Sequence, residues 1–424
     1  MNQTIKKRIE EINNGIVPEG YEKTSFGIFP CDWEKDKSLG DICEINPKTE
    51  ALPNEFIYID LESVVDGKLI QENVIENAKA PSRAQRVLQK NDIIYQMVRP
   101  YQKNNFIFIQ DDGSFKYVAS TGYAQLRSDN YSFLYQMVNS EYFCTQVLKK
   151  CTGTNYPAIN SQDLAEVNCA YPKSDREQSR IAEILMQWDK AIELQEKLIE
   201  AYQKSKKYYL NKMFPKKGSN VPEIRFPGFT APWEQRKVNS ICEKTYGGGT
   251  PSTSDCEFWT GEIPWIQSSD IVEHNVLDVT VRKWISNKAI RSSATQHIPA
   301  NSIAIITRVG VGKLAFMPFS YTTSQDFLSL SSLRINALFA TYALYVKLQN
   351  DMNVVQGTSI KGITKDELLA KEIAVPNNPL EQERISALFK GIDNLITLHQ
   401  QNRDKLLKQR RALQQYLLTG IVRV

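Results

Sequence analysis

Histidine is scarce in this 424-residue chain, and neither a long apolar run nor a strong charge of one sign is present. Only His274, His297 and His399 occur, none beside another or beside a cysteine at metal-ligand spacing, which argues against a zinc or iron site. The seven cysteines (Cys31, Cys43, Cys144, Cys151, Cys169, Cys242, Cys256) include no CxxC pair, and their odd number argues against a complete disulfide framework. Free thiols are the expectation. No apolar stretch approaches the length needed to span a bilayer, and the opening MNQTIKKRIEEINNG is charged and amphipathic rather than signal-like. We therefore expect no membrane partner and a cytoplasmic location. With Lys+Arg 52 against Asp+Glu 48, a net charge of +4 and a pI near 8.5 permit nucleic-acid binding without demanding it.

Catalytic signatures are missing as well. Gly310-Val-Gly312-Lys313 resembles half of a phosphate-binding loop, but the first glycine is absent and Leu314 stands where a hydroxyl should meet magnesium. Gly247-Gly-Gly249 does not continue as GxGxxG. No Asn-Pro-Pro-aromatic segment for methyl transfer occurs, no nuclease-like Pro-Asp arrangement stands out, and there is no Gly-x-Ser-x-Gly elbow. The chain is long enough for two or three domains, and its 42% apolar and 24% charged content is that of a soluble globular protein. Large domains without a catalytic constellation suggest binding.

What the chain does have is a copy of itself. A shift of 204 residues lays Gly153–Lys204 on Gly357–Lys408. Among the matched pairs are Gly153/Gly357, Thr154/Thr358, Pro172/Pro376, Glu177/Glu381, Gln178/Gln382, Arg180/Arg384, Asp189/Asp393 and Leu194/Leu398. A period near half the length means two copies of one large unit. Each unit opens on a tryptophan segment, Gly27 to Glu34 and Gly228 to Glu234, followed by short β-rich runs.

After each unit comes a long helix. Ser174-Asp-Arg-Glu177 reads as a capping box, and Asn378-Pro-Leu-Glu381 as an Asn cap with proline at the first helical position. A heptad runs Ile181, Ile184, Trp188, Ala191, Gln195, Leu198, Tyr202, Ser205, Tyr209, and again Ile385, Leu388, Ile392, Leu395, His399, Asn402, Leu406, Gln409, Leu413. Adjacent Leu185, Ile192 and Ile199, and Phe389 and Ile396, widen the stripe, so each helix is expected to pack against more than its partner. The polar members Gln195, His399, Asn402 and Gln409 are expected to fix register. The expected organisation is a helix over 1–14, a globular unit over 15–173, a long helix over 174–215, a second unit over 216–377 that begins with a linker at 216–220, and a second long helix over 378–424. The fold class is α+β: two mixed units with pseudo-twofold symmetry, joined by two long antiparallel coiled-coil helices.

Polar and basic residues fall at matching places of the two units. In the first they are Arg83, Arg86, Arg99, Tyr101, Lys103, Asn104 and Thr121. In the second they are Gly248, Thr250, Ser268, Arg308, Lys313, Ser324 and Gln325. Arg99 and Arg308 correspond with one residue of slip, and Ala119–Tyr123 corresponds to Thr323–Phe327. Arginine suits guanine, Gln and Asn suit adenine, and Lys, Ser, Thr and glycine amides suit phosphates.

These residues resemble the specificity subunit of type I restriction–modification systems over essentially the whole chain. The resemblance lies in Tyr246-Gly-Gly-Gly-Thr-Pro-Ser252 with Phe258 to Ile266, in Val221 to Phe229, in Pro81 to Arg86 with Val98 to Asn105, and in the repeated Glu-Gln-x-Arg-Ile with Asp189/Asp393. It implies a non-catalytic subunit with two target recognition domains, each reading half of a split, asymmetric site on double-stranded DNA. The helices would set the spacer and dock two adenine-N6 methyltransferase subunits, and two restriction subunits would be added for cleavage. The partners would use S-adenosylmethionine, ATP and magnesium, with no cofactor on this chain. A coiled-coil adaptor without a DNA role, or a self-sufficient methylase or nuclease with unrecognised motifs, remains open at this point.

Overall fold

The computed structural model describes residues 3–109, 113, 115–354 and 362–424; Gly357 and Thr358 of the repeat lie outside the described residues. The chain forms two compact units, Met1–Glu193 with Asp404–Val424, and Leu194–Arg403. The long helices run Asp175–Met213 (39 residues) and Pro379–Leu418 (40 residues). Each unit therefore holds the first part of one helix and the last part of the other. The second helix is shorter than the sequence suggests. Gly420 takes a left-handed φ of 70° and packs against Pro30, so the chain leaves the helix there.

Both units are built to one plan. In the first, strands at Phe106–Ile107, Ile93–Gln96, Tyr123–Arg127 and Glu44–Ile45 lie side by side in that order. In the second, Leu314–Met317, Ser302–Ile306, Phe327–Leu333 and Cys242–Gly247 repeat the order. A second sheet in each contains one parallel pair, Glu55–Ile59 with Lys116–Ser120, and Ile263–Ile266 with Thr322–Thr323. The first unit adds a strand at Ala84–Val87, on the edge of this sheet, which has no counterpart among the described residues of the second. A short antiparallel pair then leads to each helix, Trp33–Ser38 with Asn168–Pro172 and Glu234–Lys237 with Glu372–Val375.

The helix starts are held in matching ways. Gln178 Nε2 donates to the Pro172 carbonyl at 2.8 Å, and Gln382 Nε2 donates to the Pro376 carbonyl at 2.8 Å. Both glutamates are buried and face a guanidinium: Arg423 on Glu177 at 2.5 and 2.9 Å, and Arg225 on Glu381 at 2.6 and 2.8 Å. The capping box at Ser174 is accordingly half made. Its hydroxyl accepts from the Glu177 amide, while the Glu177 carboxylate takes the charged donor instead of the cap backbone.

The buried line of each helix follows the widened stripe rather than the strict heptad. Leu198 and Leu395 are exposed, whereas Leu185, Ile192 and Ile199, and Phe389 and Ile396, are buried. The reason is that both helix ends pack on a globular core, which selects a wider stripe than a two-helix seam. Ile181, Ala182, Leu185, Leu417 and Leu418 join the core around Trp33; Leu210, Met213, Phe214, Ile385 and Phe389 join the core around Trp233. Of the four polar seam residues, two meet. Gln195 Oε1 and His399 Nδ1 lie 2.8 Å apart, and Tyr202 stacks on the imidazole, while Asn402 and Gln409 are exposed.

Antiparallel contact of the helices is fixed within each unit by an ion pair. In the second unit Lys206 Nζ sits 2.5 Å from Asp393, which also accepts from the Tyr342 hydroxyl at 2.7 Å. In the first, Arg410 reaches the equivalent Asp189 at 2.8 Å. Burial pushes Asp393 above and Lys206 below their ordinary ranges, and each group's charge opposes the other's shift. The helix Gln3–Asn13 lies near the residues that follow the second long helix: Arg8 donates to the Ile421 carbonyl at 2.5 Å.

Lys206→Met leaves a buried carboxylate without its cation and should cost about 3–5 kcal/mol. Arg410→Met breaks a pair with a half-exposed aspartate and should cost about 1 kcal/mol or less. Urea denaturation midpoints of the two variants compare them directly, and equal shifts would contradict this account.

Candidate nucleic-acid interface

In the second unit the glycine-rich loop meets the turn between Thr323 and Phe327 at one corner of the sheets. The Gly249 amide donates to the Thr323 carbonyl at 2.8 Å, and the Ser324 amide donates to the Ile266 carbonyl at 2.9 Å. Gly248 passes so close that a Cβ there would lie 1.7 Å from the Ser324 carbonyl oxygen. No other residue fits. Thr307 donates through both its amide (2.8 Å) and its hydroxyl (3.0 Å) to the Asp326 carbonyl, bringing Arg308 beside the same turn. At the apex Gln325 is exposed, and the Thr250 hydroxyl donates to its Oε1. Ser268 begins a short 3-10 turn two residues beyond Ile266. Gly248, Thr250, Ser268, Arg308, Ser324 and Gln325 thus gather at one corner. Ser324 is buried there, with its hydroxyl turned to Asp326.

Lys313 departs from this group. It ends the hairpin between Ser302–Ile306 and Leu314–Met317, and its ammonium pairs with Glu273 at 3.3 Å. The Gly310-Val-Gly312-Lys313 segment is this hairpin's tip, with left-handed glycines at φ 89° and 93°, and leads into a strand. A phosphate-binding loop would lead into a helix.

The first unit builds the equivalent corner from other side chains. The Met97 amide donates to the Gly122 carbonyl at 3.0 Å, as Thr307 does to Asp326. The Ile159 amide donates to the Met97 carbonyl at 3.0 Å, and its repeat partner Ile363 donates to Thr307 at 2.8 Å. Met97 therefore matches Thr307, so Arg308 stands at the place of Val98, one residue ahead of Arg99. The apex here is Thr121, whose amide donates to the Arg83 carbonyl at 2.8 Å. Arg83 is exposed, and among the described residues its guanidinium has no partner. Arg86, on the extra strand, is half-buried; its Nε has no hydrogen-bond partner, and burial lowers its pKa.

Arg99 and Lys103 flank a short turn at Pro100–Gln102, with left-handed φ values of 54° and 53°. Non-glycine residues keep such angles only where their surroundings over-determine them. Here the Arg99 amide donates to Pro157 at 2.7 Å, and its guanidinium lies over the exposed Tyr156 ring at 4.3 Å. Lys103 pairs with Glu141 at 2.6 Å, and Asn104 Oδ1 accepts from the Asp66 amide at 3.1 Å. Lys103 and Asn104 therefore hold the loop, whereas Tyr101 is half-exposed beside them.

Sequence reasoning missed the supports. The Trp265 indole donates to the Gly249 carbonyl at 3.0 Å, the Thr295 hydroxyl donates to the same oxygen at 2.9 Å, and the Trp259 indole donates to Ser252 at 3.0 Å. Two tryptophans six positions apart, just after a glycine loop, were the available signal. Tyr156 beneath Arg99 had none. All seven cysteines are free, and burial pushes the Cys43 thiol up to about 12. Among the described residues no group of three or more His, Cys, Asp or Glu side chains could hold a metal, and no helix is long and apolar enough to cross a membrane.

Comparison with known proteins agrees with this two-copy plan. The family model for the type I restriction modification DNA specificity domain matches residues 30–203 and 231–408. The putative type I restriction enzyme MjaX specificity subunit of Methanocaldococcus jannaschii is 25% identical over 437 residues, covering 96% of this chain and 97% of that protein. The MjaIX specificity subunit of the same organism is 28% identical over 169 residues, and that alignment spans 39% of this chain and 38% of the relative. In fold, the chain is similar to one from a structure of complex assembly and conformational transition of the type I R-M system. The TM-score is 0.57 at 22% identity, covering 93% of this chain and 99% of that one.

Gly248→Ala must push the Ser324 backbone aside and should destabilise the second unit by about 1–3 kcal/mol. Gly247→Ala, with nothing within 4 Å of the added Cβ, should shift the thermal midpoint little. Equal tolerance of the two would overturn the close-approach reading.

Proposed function

This chain belongs to the family of type I restriction–modification DNA specificity domains, and on that premise we propose that each of its units reads one half of a bipartite, asymmetric DNA site. The observation that carries this reading is the corner shared by both units. One backbone arrangement presents Gln325 with Thr250 in the second unit, and Thr121 beside the exposed Arg83 in the first. Equivalent positions with different hydrogen-bonding chemistry suit two different half-sites.

The long helices, each contributing residues to both units, set the separation of the half-sites. Their repeated exposed residues, Arg180/Arg384 and Leu194/Leu398, offer equivalent surfaces to two identical subunits. We take those subunits to be adenine-N6 methyltransferases, with two restriction subunits joining for cleavage in the cytoplasm. S-adenosylmethionine, ATP and magnesium would then belong to the partners. With a net charge of only +4, this chain should bind DNA weakly alone, and much of the phosphate contact would come from the methyltransferases.

Sequencing of modified bases in the host, with and without this gene, tests the reading: a split methylated motif should vanish with the gene. Exchanging residues 216–377 for those of a relative should change one half of the motif and leave the other half and the spacer intact. Arg83→Ala and Arg308→Ala should each weaken binding by the assembled complex at a specific site by about 1–3 kcal/mol in gel-shift titration. Unchanged binding by both would favour the adaptor reading.

A further inference from the structure

Gln325 stands out among the exposed polar side chains of the second unit because its surroundings hold both its backbone and its amide in place. It is the second residue of a turn closed by the Phe327 amide on the Ser324 carbonyl at 3.4 Å. Both flanks of that turn are pinned: Thr323 by Gly249, Ser324 by Ile266, and Asp326 by the amide and hydroxyl of Thr307. The backbone beneath the side chain cannot shift without breaking several of these contacts, and the missing Cβ of Gly248 keeps the two loops in register. The Thr250 hydroxyl donates to Gln325 Oε1 from a loop that is itself fixed by the indoles of Trp259 and Trp265.

A glutamine amide is ambiguous at a binding surface because its oxygen and nitrogen ends can exchange by a half-turn about the last torsion. The Thr250 hydroxyl holds that amide in place, as donor to Oε1 in the structure and as acceptor from Nε2 after a half-turn. In either orientation one acceptor and at least one N–H donor of the amide stay open to a ligand. An acceptor beside a donor is the pattern complementary to the N6 amino group and N7 of adenine in the major groove. Because the group is already ordered, little side-chain entropy is lost on contact.

We propose that Gln325 is the residue through which the second unit reads one adenine of its half-site, and that Thr250 is the positioning residue that holds its amide for that contact. The inference rests on the DNA-reading role of this unit. It also accounts for a difference between the units. At the repeat-equivalent place the first unit has Thr121, which has no amide, so this contact is made by the second unit and not repeated at the same place of the first.

The test is modified-base sequencing of host genomes in which the chromosomal gene carries Gln325→Ala, Gln325→Glu, Thr250→Val or Thr250→Ser. Gln325→Ala should relax one base-pair position of one half-site, raising methylation of sites altered there by about tenfold or more relative to intact sites. Gln325→Glu, nearly isosteric and without donors, should move the preference at that position away from adenine. Thr250→Val should relax the same position by a smaller factor, and Thr250→Ser should retain the wild-type motif. The proposal is overturned if Gln325→Ala and Gln325→Glu leave every position unchanged, or if both lower methylation of all sites together without altering base preference. It is also overturned if Thr250→Val acts at a different position or at none. Failure of the underlying reading looks different: the wild-type gene would then direct no methylated motif at all.

Discussion

An aspartate on each long helix, answered by a cation from the other helix, is the constraint on which the arrangement of each unit depends, most strongly where the aspartate is buried. Asp393 is fully buried with Lys206, and Asp189 is held by Arg410. Sliding one helix past the other by a turn, about 5.4 Å, would strand the Asp393 carboxylate in a low-dielectric interior, where an unpaired charge costs several kcal/mol, and would part the half-exposed Asp189 from Arg410. Apolar contacts alone tolerate such a slip far better. The ion pairs therefore decide which residues of the two helices face each core, and through the cores they decide where the strand ends and their loops stand.

Those loops show how one backbone plan can serve two recognition tasks. The contacts that build the corner are mostly between main-chain groups, and the Ile159–Met97 and Ile363–Thr307 bonds recur although the flanking sequences differ. Side chains at the apex are then free to vary. The first unit goes further by adding a strand at Ala84–Val87, which carries Arg86 and continues from Arg83. Divergence is concentrated where contact with a ligand would be made, and similarity where the chain holds itself.

The division of labour inside the repeat is different from what the sequence suggests at first reading. Glu177, Gln178, Glu381 and Gln382 are spent inside the molecule, on Arg423, Pro172, Arg225 and Pro376. The helix starts, the repeat and the correspondence of Ala119–Tyr123 with Thr323–Phe327 were legible because each is set by local chemistry or by direct self-comparison. The guanidiniums that face Glu177 and Glu381 were not, because Arg423 and Arg225 do not fall on the repeat spacing. The widened apolar stripe was legible, since Leu185, Ile192, Ile199, Phe389 and Ile396 stand beside the heptad, but which core each helix end joins is set by tertiary packing. Within the candidate site, the residue types were visible in the sequence. That Lys103 and Lys313 are tied to Glu141 and Glu273, while Gln325 is aimed by Thr250, is a matter of tertiary geometry.

Residues 404–424 belong to the first unit, although all of the second unit precedes them in the chain. On the ribosome, then, the unit that begins to emerge first cannot be completed first. Leu194–Arg403 can assemble its core as a continuous stretch, whereas the earlier unit must wait with Ile181 and Leu185 uncovered until Leu417 and Leu418 arrive. Domains ordinarily fold in the order in which they are made; here the order is inverted. A premature stop before residue 404 would consequently damage the recognition unit made of residues 1–193 as well.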